Sequence, residues 1–461
     1  MPLPPNIQAV TIVGGARSGQ AAIRLLADTK TELFLSEHGS GDTELRALLH
    51  KHNVAHELGG HTDRALNADL MVLSPGVPLS APVVQQALQR NIRVVSEIEL
   101  ASWFCAAPIV AITGTNGKTT TTKWTGHVLQ TAWEQTPERS VIVAGNVGVP
   151  FSDHAQKARP SDIVVLEVSS FQLDRVDTFC PRVSALLNIT PDHLDRYGGR
   201  VEAYAASKAR IMAQQGAEHT VVYNADNTRT VQHVDRMHPA ESADRPALLA
   251  FSQTHPPENG IYASDGQLVM RQSGTSIPLM ATQDIALRGR HNCYNAMAVA
   301  LIADALDVPA DAIREGLRTF SGVPHRLESV RTHGGVDYVN DSKATNVEAV
   351  GYALESFERP IVLIAGGRDK GNDYAPLKPL VKQGVRALIA IGESADTVVR
   401  ELGTHATGCT HASNMPEAID AAQRLAHAGD VVLLSPACSS FDMYRDYEER
   451  GDVFRAAVQA L

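Results

Sequence analysis

The sequence predicts an α/β protein of three domains, each built on an open and mostly parallel sheet. Short apolar segments of β-forming residues alternate with amphipathic helical segments along the chain, which is the pattern of parallel sheets covered by helices. The length of 461 residues exceeds what one hydrophobic core usually serves. We expect the domains to span residues 1–103, 104–321 and 322–461.

Composition and charge exclude several classes of protein. The formal net charge is −10 and no block of Lys or Arg is present, so we expect no nucleic-acid partner. No apolar run reaches the roughly 18 residues of a membrane span, and residues 1–20 lack the pattern of a signal peptide. The five cysteines are far apart, which argues against a zinc site or a disulfide framework. We expect a cytoplasmic monomer without a membrane partner.

The first domain opens with a Rossmann-like β-α-β pattern. An apolar strand predicted at 8–15 enters a turn at Gly14–Gly19, a helix follows, and a second strand ends at Glu37. The full Gly-x-Gly-x-x-Gly pattern of dinucleotide sites is absent. The turn could therefore hold NAD, or the diphosphate of another nucleotide over the start of the helix.

A phosphate-binding loop is predicted between an apolar strand at 108–112 and a helix at 123–129. Its sequence from Gly114 to Thr120, Gly-Thr-Asn-Gly-Lys-Thr-Thr, is two residues shorter than the usual Gly-x4-Gly-Lys-Ser/Thr loop. Glycines let backbone N–H groups turn toward an anion, and the helix N-terminus adds a positive dipole. Lys118 would add a point charge. We predict that this loop binds nucleotide phosphates.

Candidate metal ligands follow two further strands of the central domain. Glu167 lies at the end of an apolar strand, where ligands bind in open α/β sheets. His193 lies in the polar turn Asp192–Tyr197 after the next strand. Alone it could be a capping or packing residue, but beside Glu167 we favour a ligand role. Lys208, in a helical segment, is by itself typical of a solvated lysine.

The segment after these ligands shows weaker patterns. Residues 235–280 hold short β-like pieces among Pro, Ser and His, and we interpret them as a surface hairpin region. An Ala-rich amphipathic helix follows to Ala305. Asn292, at its start, could cap this helix or contact an adenine edge.

The third domain shows a clear alternation of strands and helices. Most of its strands end in small, polar or charged residues, which form a row of binding groups along one edge of a parallel sheet. These strand ends are Asp341–Thr345, Arg368–Lys370 and Ser439–Ser440.

The motifs resemble those of the Mur ligases of peptidoglycan synthesis along nearly the whole chain. The shortened loop from Gly114 is similar to the ATP loop of this family. The other similar motifs are Ala144–Gly148, Leu166–Gln172, Asp192–Tyr197, Gly289–Asn292, Pro324–Arg326, Asn340–Asn346, Gly366–Lys370 and Ser435–Asp442. They look most like those of the glutamate-adding members. The Asp-Asn-Pro-Arg motif of the diaminopimelate- or lysine-adding members is missing.

The resemblance implies a Rossmann-like first domain, a central P-loop ATPase-type domain and a Rossmann-like third domain. It also implies an ATP-dependent ligase of cytoplasmic peptidoglycan precursor synthesis. The alanine carboxylate of UDP-N-acetylmuramoyl-L-alanine would become an acyl phosphate and then be joined to glutamate, with D-glutamate as the family default. ATP and two Mg²⁺ ions are the expected cofactors.

The resemblance further implies roles for individual residues. The expected ATP contacts are Gly114, Thr115, Asn116, Gly117, Lys118, Thr119 and Thr120, with Asn292 at adenine, Arg326 at the γ-phosphate and Asp341 at the ribose. The expected metal ligands are Thr119 and Glu167 for one Mg²⁺, and His193 and a carbamylated Lys208 for the other. Lys118, His193 and Lys208 are the expected catalytic residues. The expected substrate contacts are Ser18 and Glu37 for the UDP part, Asn146 near the reacting carboxylate, and Thr345, Lys370, Ser440 and Phe441 for glutamate.

Two residues depart from the common family pattern, and three alternatives stay open. Glu37 stands where Asp is frequent, and Tyr447 stands where Phe is frequent in the glutamate pocket. One alternative is a ligase of the same kind that adds L-glutamate. Another is a folylpolyglutamate synthase, which shares the loop but should lack the first domain and carry a pterin pocket. The third is a regulatory nucleotide-binding protein without catalysis, which could lose Glu167, His193 or Lys208.

Overall fold

The computed structural model describes residues 3–136, 138–146 and 148–461. Their strands form three sheets with helices between the strands. The chain folds into two compact units, Met1–Asp284 with Tyr294–Phe320, and Ile285–Cys293 with Ser321–Leu461. Across the described ranges, no helix is both long and apolar enough to cross a membrane.

The first unit begins with a parallel sheet of five strands in the order β3-β2-β1-β4-β5. The strands are β1 (Ala9–Val13), β2 (Glu32–Glu37), β3 (Ala55–Leu58), β4 (Leu70–Leu73) and β5 (Arg93–Ser96). The helices are α1 (Arg17–Leu26), α2 (Thr43–Lys51), α3 (Pro82–Gln89) and α4 (Glu97–Ser102). This order, which reverses between β1 and β4, confirms the predicted Rossmann-like opening.

The second sheet of this unit has nine strands in the order β14-β13-β12-β11-β10-β9-β6-β8-β7. The strands are β6 (Ile109–Thr113), β7 (Val141–Gly145), β8 (Ile163–Glu167), β9 (Val183–Leu186), β10 (Thr220–Asn224), β11 (Ala247–Ser252), β12 (Gly260–Ser264), β13 (Gln267–Gln272) and β14 (Thr275–Ala281). The helices are α5 (Lys118–Ala132), α6 (Ser152–Ala155), α7 (Ser170–Leu173), α8 (Val201–Ala209), α9 (Thr228–Met237), α10 (Arg290–Asp304) and α11 (Ala310–Thr319).

Residues 235–280 contain more than the surface hairpin region that the sequence predicted. β11 pairs in parallel with β10, and β12 pairs in parallel with β11, so the sheet continues through this region. Only β13 and β14 are added as antiparallel hairpin strands. The pairing of β11 with β10 joins segments more than 20 residues apart, and no local pattern reports such a partner.

Glu99 of α4 links the two sheets of the first unit. Its buried carboxylate accepts hydrogen bonds from the backbone N–H groups of Asp177, Thr178 and Phe179. The Thr178 hydroxyl and the Trp103 indole N–H also donate to it, and the five distances lie between 2.6 and 3.0 Å. One hydrophobic cluster contains residues from both sheets. The two sheets therefore share a core and a polar anchor.

The second unit carries a six-stranded sheet in the order β15-β16-β20-β17-β18-β19, parallel except for β15. The strands are β15 (Glu328–His333), β16 (Val336–Asn340), β17 (Ile361–Gly366), β18 (Val385–Ile391), β19 (Gly408–His411) and β20 (Val431–Leu434). The helices are α12 (Val347–Glu355), α13 (Lys378–Gly384), α14 (Ala395–Leu402), α15 (Met415–Leu425) and α16 (Tyr447–Gln459). Alternate strand residues enter two separate hydrophobic clusters, as expected for a sheet buried on both faces.

Candidate active site

The predicted phosphate loop connects β6 to the start of α5. Gly117 has a φ of +85°, and a Cβ there would lie 2.5 Å from the Asn295 Oδ1, so both backbone and space require glycine. Asn188, which follows β9, holds the loop by two hydrogen bonds. Its Oδ1 accepts from the Asn116 N–H at 2.9 Å, and its Nδ2 donates to the Asn116 carbonyl at 3.1 Å. Asn188 thus holds the backbone of this loop in place at Asn116.

Lys118 and Lys208 meet at one backbone carbonyl of this loop. The Lys118 ammonium donates to the Gly114 carbonyl at 2.9 Å, and Lys208 Nζ donates to the same oxygen at 2.8 Å. Lys208 is 1% exposed, which corrects the solvated lysine that its sequence pattern alone suggested. Burial, together with the Lys118 charge, lowers the pKa of Lys208 well below its ordinary value. Burial and the neighbouring Lys118 charge therefore favour the neutral form of the Lys208 amine beside this loop.

Glu167 lies beside this loop at the end of β8. Ile112 and Gly145 are its neighbours in register on the two flanking strands. The side chain is buried, and its Oε1 accepts from Asn146 Nδ2 at 3.0 Å. Its Oε2 is buried without a hydrogen-bond partner among the described residues. A buried, unpartnered carboxylate oxygen next to a phosphate loop fits a hard divalent cation such as Mg²⁺.

The predicted turn Asp192–Tyr197 packs on one aromatic ring. His193 has a φ of +52° and lies edge-on to Phe171, with ring centroids 5.1 Å apart. The Arg196 guanidinium lies 4.0 Å from the same ring centroid. His193 is half exposed, and within the described ranges no three His, Cys, Asp or Glu side chains converge as a metal site. A second ion at His193 would thus need further oxygen donors, which a carbamate or phosphates can supply.

A cavity of about 870 Å³ opens at the carboxyl edge of the five-stranded sheet. It is lined by the predicted substrate residues Ser18, Glu37 and Asn146, and also by His38 and His61. The Glu37 carboxylate is already engaged by backbone donors, the Gly15 N–H at 2.5 Å and the Gly39 N–H at 2.6 Å. Glu37 therefore shapes the glycine turn of this cavity.

In the second unit, Arg326 lies between His325 and Leu327, which both have positive φ angles of 63° and 43°. Burial, together with the Arg326 charge, lowers the pKa of His291 to about 4. Asn292 is buried in the first turn of α10, and its Nδ2 donates to the Arg288 carbonyl just before that helix at 2.8 Å. His291 thus lies close enough to Arg326 to feel its charge.

Asp341 follows β16 and is buried in the second unit. It accepts hydrogen bonds from the Ser435 hydroxyl at 2.9 Å and the Leu327 N–H at 3.2 Å. Burial outweighs these donors and the Arg326 charge, and it raises the pKa of Asp341 to about 7.

The predicted glutamate contacts all follow parallel strands of the second unit. Thr345 follows β16, Lys370 follows β17, and Ser440 and Phe441 follow β20. Ser440 is buried, whereas Lys370 and Phe441 are exposed, the latter by 63%. These residues therefore share the carboxyl edge of the sheet, as the strand-end pattern predicted.

Sequence reasoning gave no role to three residues that shape these sites. Asn188 holds the phosphate loop, Asn295 accepts from the Thr121 hydroxyl at 3.2 Å, and the fully buried Arg450 contacts the strand ends of the second unit. Asn188 had a usable signal, because it is a polar residue directly after an apolar strand. Arg450 had none, since it stands in a charged helical segment.

Three family models match successive parts of the chain. The MurD N-terminal domain matches residues 9–83, the Mur ligase middle domain matches 112–303, and the Mur ligase, glutamate ligase domain matches 325–438.

Curated relatives match over almost the full length. The UDP-N-acetylmuramoylalanine–D-glutamate ligase of Salinibacter ruber is 57% identical, covering 98% of this chain and 97% of its own. The protein of the same name from Chloroherpeton thalassium is 43% identical over the same shares. Among solved structures, the UDP-N-acetylmuramate-alanine ligase of Thermotoga maritima aligns over 99% of this chain and 100% of its own, with a TM-score of 0.58 and 18% identity. A pseudomurein peptide ligase from Methanothermus fervidus aligns over 98% and 99%, with a TM-score of 0.60 and 17% identity. The structural matches show the same three-domain fold.

Proposed function

The chain belongs to the Mur ligase family, and from that premise we propose that it joins D-glutamate to UDP-N-acetylmuramoyl-L-alanine at the expense of ATP. The observation that carries this function is the full-length relationship to D-glutamate ligases. The buried Glu167 and Lys208 beside the phosphate loop supply the matching chemistry, and they argue against a nucleotide-binding protein without catalysis. The Rossmann-like first sheet with its large cavity favours a UDP-linked substrate over a folate.

The reaction needs activation because a carboxylate does not acylate an amine in water. The alanine carboxylate attacks the γ-phosphorus of ATP, so that an acyl phosphate forms and ADP leaves. The free amine of D-glutamate then attacks the acyl carbon, the nitrogen loses a proton, and phosphate leaves from the tetrahedral intermediate. Lys118 and the loop N–H groups lower the barrier of the first step by neutralising charge between two approaching anions. Bound Mg²⁺ would add charge neutralisation at the phosphates.

The phosphate loop, Glu167 and Lys208 supply the ATP and metal contacts of this proposal. The loop residues Gly114–Thr120 bind the phosphates, and Lys118 supplies positive charge beside them. Thr119 and Glu167 would hold one Mg²⁺, and the unpartnered Glu167 Oε2 supports this role. His193 and a carbamylated Lys208 would hold a second ion.

Carbamylation of Lys208 is part of the proposal. An amine is no ligand for Mg²⁺, whereas a carbamate offers oxygens. Only a neutral amine reacts with CO₂, and the burial of Lys208 beside Lys118 lowers its pKa and so favours that form. The low pKa of this lysine thus supports the modification.

The remaining assignments follow the domains that we propose at 1–103, 104–321 and 322–461. Ser18 and the turn shaped by Glu37 hold the UDP part, and Asn146 lies near the reacting carboxylate. On the second unit, the assigned ATP contacts are Asn292, Arg326 and Asp341, and the assigned glutamate contacts are Thr345, Lys370, Ser440 and Phe441. We propose that the enzyme works in the cytoplasm as a monomer.

Phosphate release from ATP tests this function directly. The purified protein is assayed with UDP-N-acetylmuramoyl-L-alanine and either D- or L-glutamate, and product is identified by mass spectrometry. We expect release that depends on the UDP-linked substrate and on D-glutamate. Faster ligation of L-glutamate would overturn the choice of enantiomer and keep the mechanism. Ligation of glutamate to a folate, with none to the UDP-linked substrate, would overturn the function.

A further inference from the structure

Arg450 is an arginine that is fully buried without a carboxylate partner. It lies in the first turn of α16 and is 1% exposed. Its Nε donates to the Ser342 hydroxyl at 2.9 Å, its Nη2 to the Ser342 carbonyl at 2.8 Å, and its Nη1 to the Cys438 carbonyl at 3.2 Å. No salt bridge to a carboxylate is formed within the described ranges. The hydrogen bonds of the guanidinium therefore go to neutral groups, and the Asp442 carboxylate acts on its charge only through space.

These hydrogen bonds join two strand ends, and the guanidinium packs against a third. Ser342 follows β16, Cys438 follows β20, and a Cβ on Gly367, which follows β17, would lie 3.2 Å from Arg450 Nη1. The planar fork of an arginine fixes the angles between its partners, which a flexible ammonium does not. Arg450 thus ties two neighbouring segments together at the carboxyl edge of the sheet and packs against the third.

Each of the three segments carries one of the residues assigned to glutamate. Thr345 lies three residues after Ser342, Lys370 three residues after Gly367, and Ser440 two residues after Cys438. None of the three hydrogen bonds of the Arg450 guanidinium goes to these side chains. Its influence on them therefore passes through the backbone that it holds.

Burying a charged guanidinium costs desolvation free energy, so packing alone does not explain why an arginine stands here. An apolar side chain of similar volume usually serves stability as well or better than a buried ion. Burial lowers the pKa of Arg450 only to about 10, so it stays charged at neutral pH. The charge also lies behind an edge that a dianionic amino acid would approach.

We propose that Arg450 is a positioning residue for the amino-acid substrate: it fixes the three strand-end segments so that together they hold a dicarboxylate. This inference rests on the proposed function. It predicts an effect on glutamate binding that ATP and the UDP-linked substrate do not share.

Steady-state kinetics of Arg450→Met and Arg450→Lys test the inference, with Arg424→Met, an exposed arginine of α15, as matched control. For Arg450→Met we expect the KM for D-glutamate to rise at least tenfold, with the KM values for ATP and the UDP-linked substrate within twofold of wild type. Arg450→Lys keeps the charge but loses the fork, and we expect an intermediate rise. The control should leave all three KM values unchanged.

Two further measurements keep the inference falsifiable if Arg450→Met does not fold. Ser342→Ala removes one partner of the guanidinium and should raise the KM for D-glutamate two- to fivefold. Millimolar guanidinium should lower that KM again in Arg450→Ala, by occupying the space left. Glutamate KM values that stay at the wild-type level, or that change in parallel with those of ATP, would leave Arg450 a purely structural residue. A wild-type protein that does not ligate glutamate at all would instead refute the proposed function.

Discussion

Replacing Asp341 by Asn should stabilise the second unit near neutral pH by an amount that depends on pH. Its buried carboxyl has a pKa of about 7, against 3.8 for an exposed one. Between these values the folded protein keeps a proton that the unfolded chain has lost. The free energy of unfolding of the wild type therefore falls with rising pH, by about 1.4 kcal/mol per unit. Asparagine does not titrate, so the free energy of unfolding of the Asp341→Asn variant should not fall in this way as pH rises.

Between pH 5 and pH 7 the difference in free energy of unfolding between the variant and the wild type should change by about 3 kcal/mol, because the slope acts over two pH units. Hydrogen exchange in urea, followed by mass spectrometry of peptides from the second unit, measures the free energy of unfolding at each pH. The free energy of unfolding of the variant should increase relative to that of the wild type as pH rises, and this difference should level off above pH 7. Asp420→Asn, at an exposed position of α15, is the control. A difference between Asp341→Asn and wild type that stays constant with pH would refute the raised pKa.

Three other substitutions test the site and the fold. Lys118→Ala should abolish ATP-dependent ligation without changing the circular dichroism, because it removes charge beside the transferred phosphate; wild-type turnover would contradict the assignment of the loop. Lys208→Ala should be inactive, and acetate should restore part of its phosphate release. A free amine at Lys208 in active wild-type protein, seen by NMR with ¹³C-bicarbonate, would contradict the carbamate. Glu99→Gln should cost the first unit about 3 kcal/mol, because two backbone donors lose a charged acceptor. Urea unfolding measures it, and a loss below about 1 kcal/mol would show that the anchor is weak.

Much of the site could be predicted because its residues follow strands of unbroken apolar sequence. Glu167 is one example: four apolar residues precede it in β8, and the structure buries it at the strand end beside the phosphate loop. The strand ends of the second unit follow the same rule. In parallel sheets the carboxyl ends of all strands meet at one edge, so the local pattern implies a shared location.

The parts that could not be predicted depend on partners distant in sequence. Nothing near Lys208 in the sequence shows that its Nζ will lie against the Gly114 carbonyl, 94 residues earlier. Arg450 follows two glutamates in a segment typical of an exposed helical face, and its burial is set by segments around Ser342 and Cys438. Similarly, nothing within the six residues of β11 shows that β10 and β12 will pair with its two edges.

The hydrogen bond between Glu99 and Trp103 makes tryptophan fluorescence a probe of the first unit. All three tryptophans, Trp103, Trp124 and Trp133, lie in the first unit. Trp103 donates its indole N–H to the Glu99 carboxylate, and the Arg93 guanidinium lies 4.8 Å from its ring centroid. Its emission should shift when the two sheets of that unit separate, whereas unfolding of the second unit has no tryptophan to report it. Tryptophan fluorescence will therefore follow unfolding of the first unit, whereas circular dichroism of the same unlabelled sample follows both units. A difference between the two unfolding curves would show that the units unfold separately.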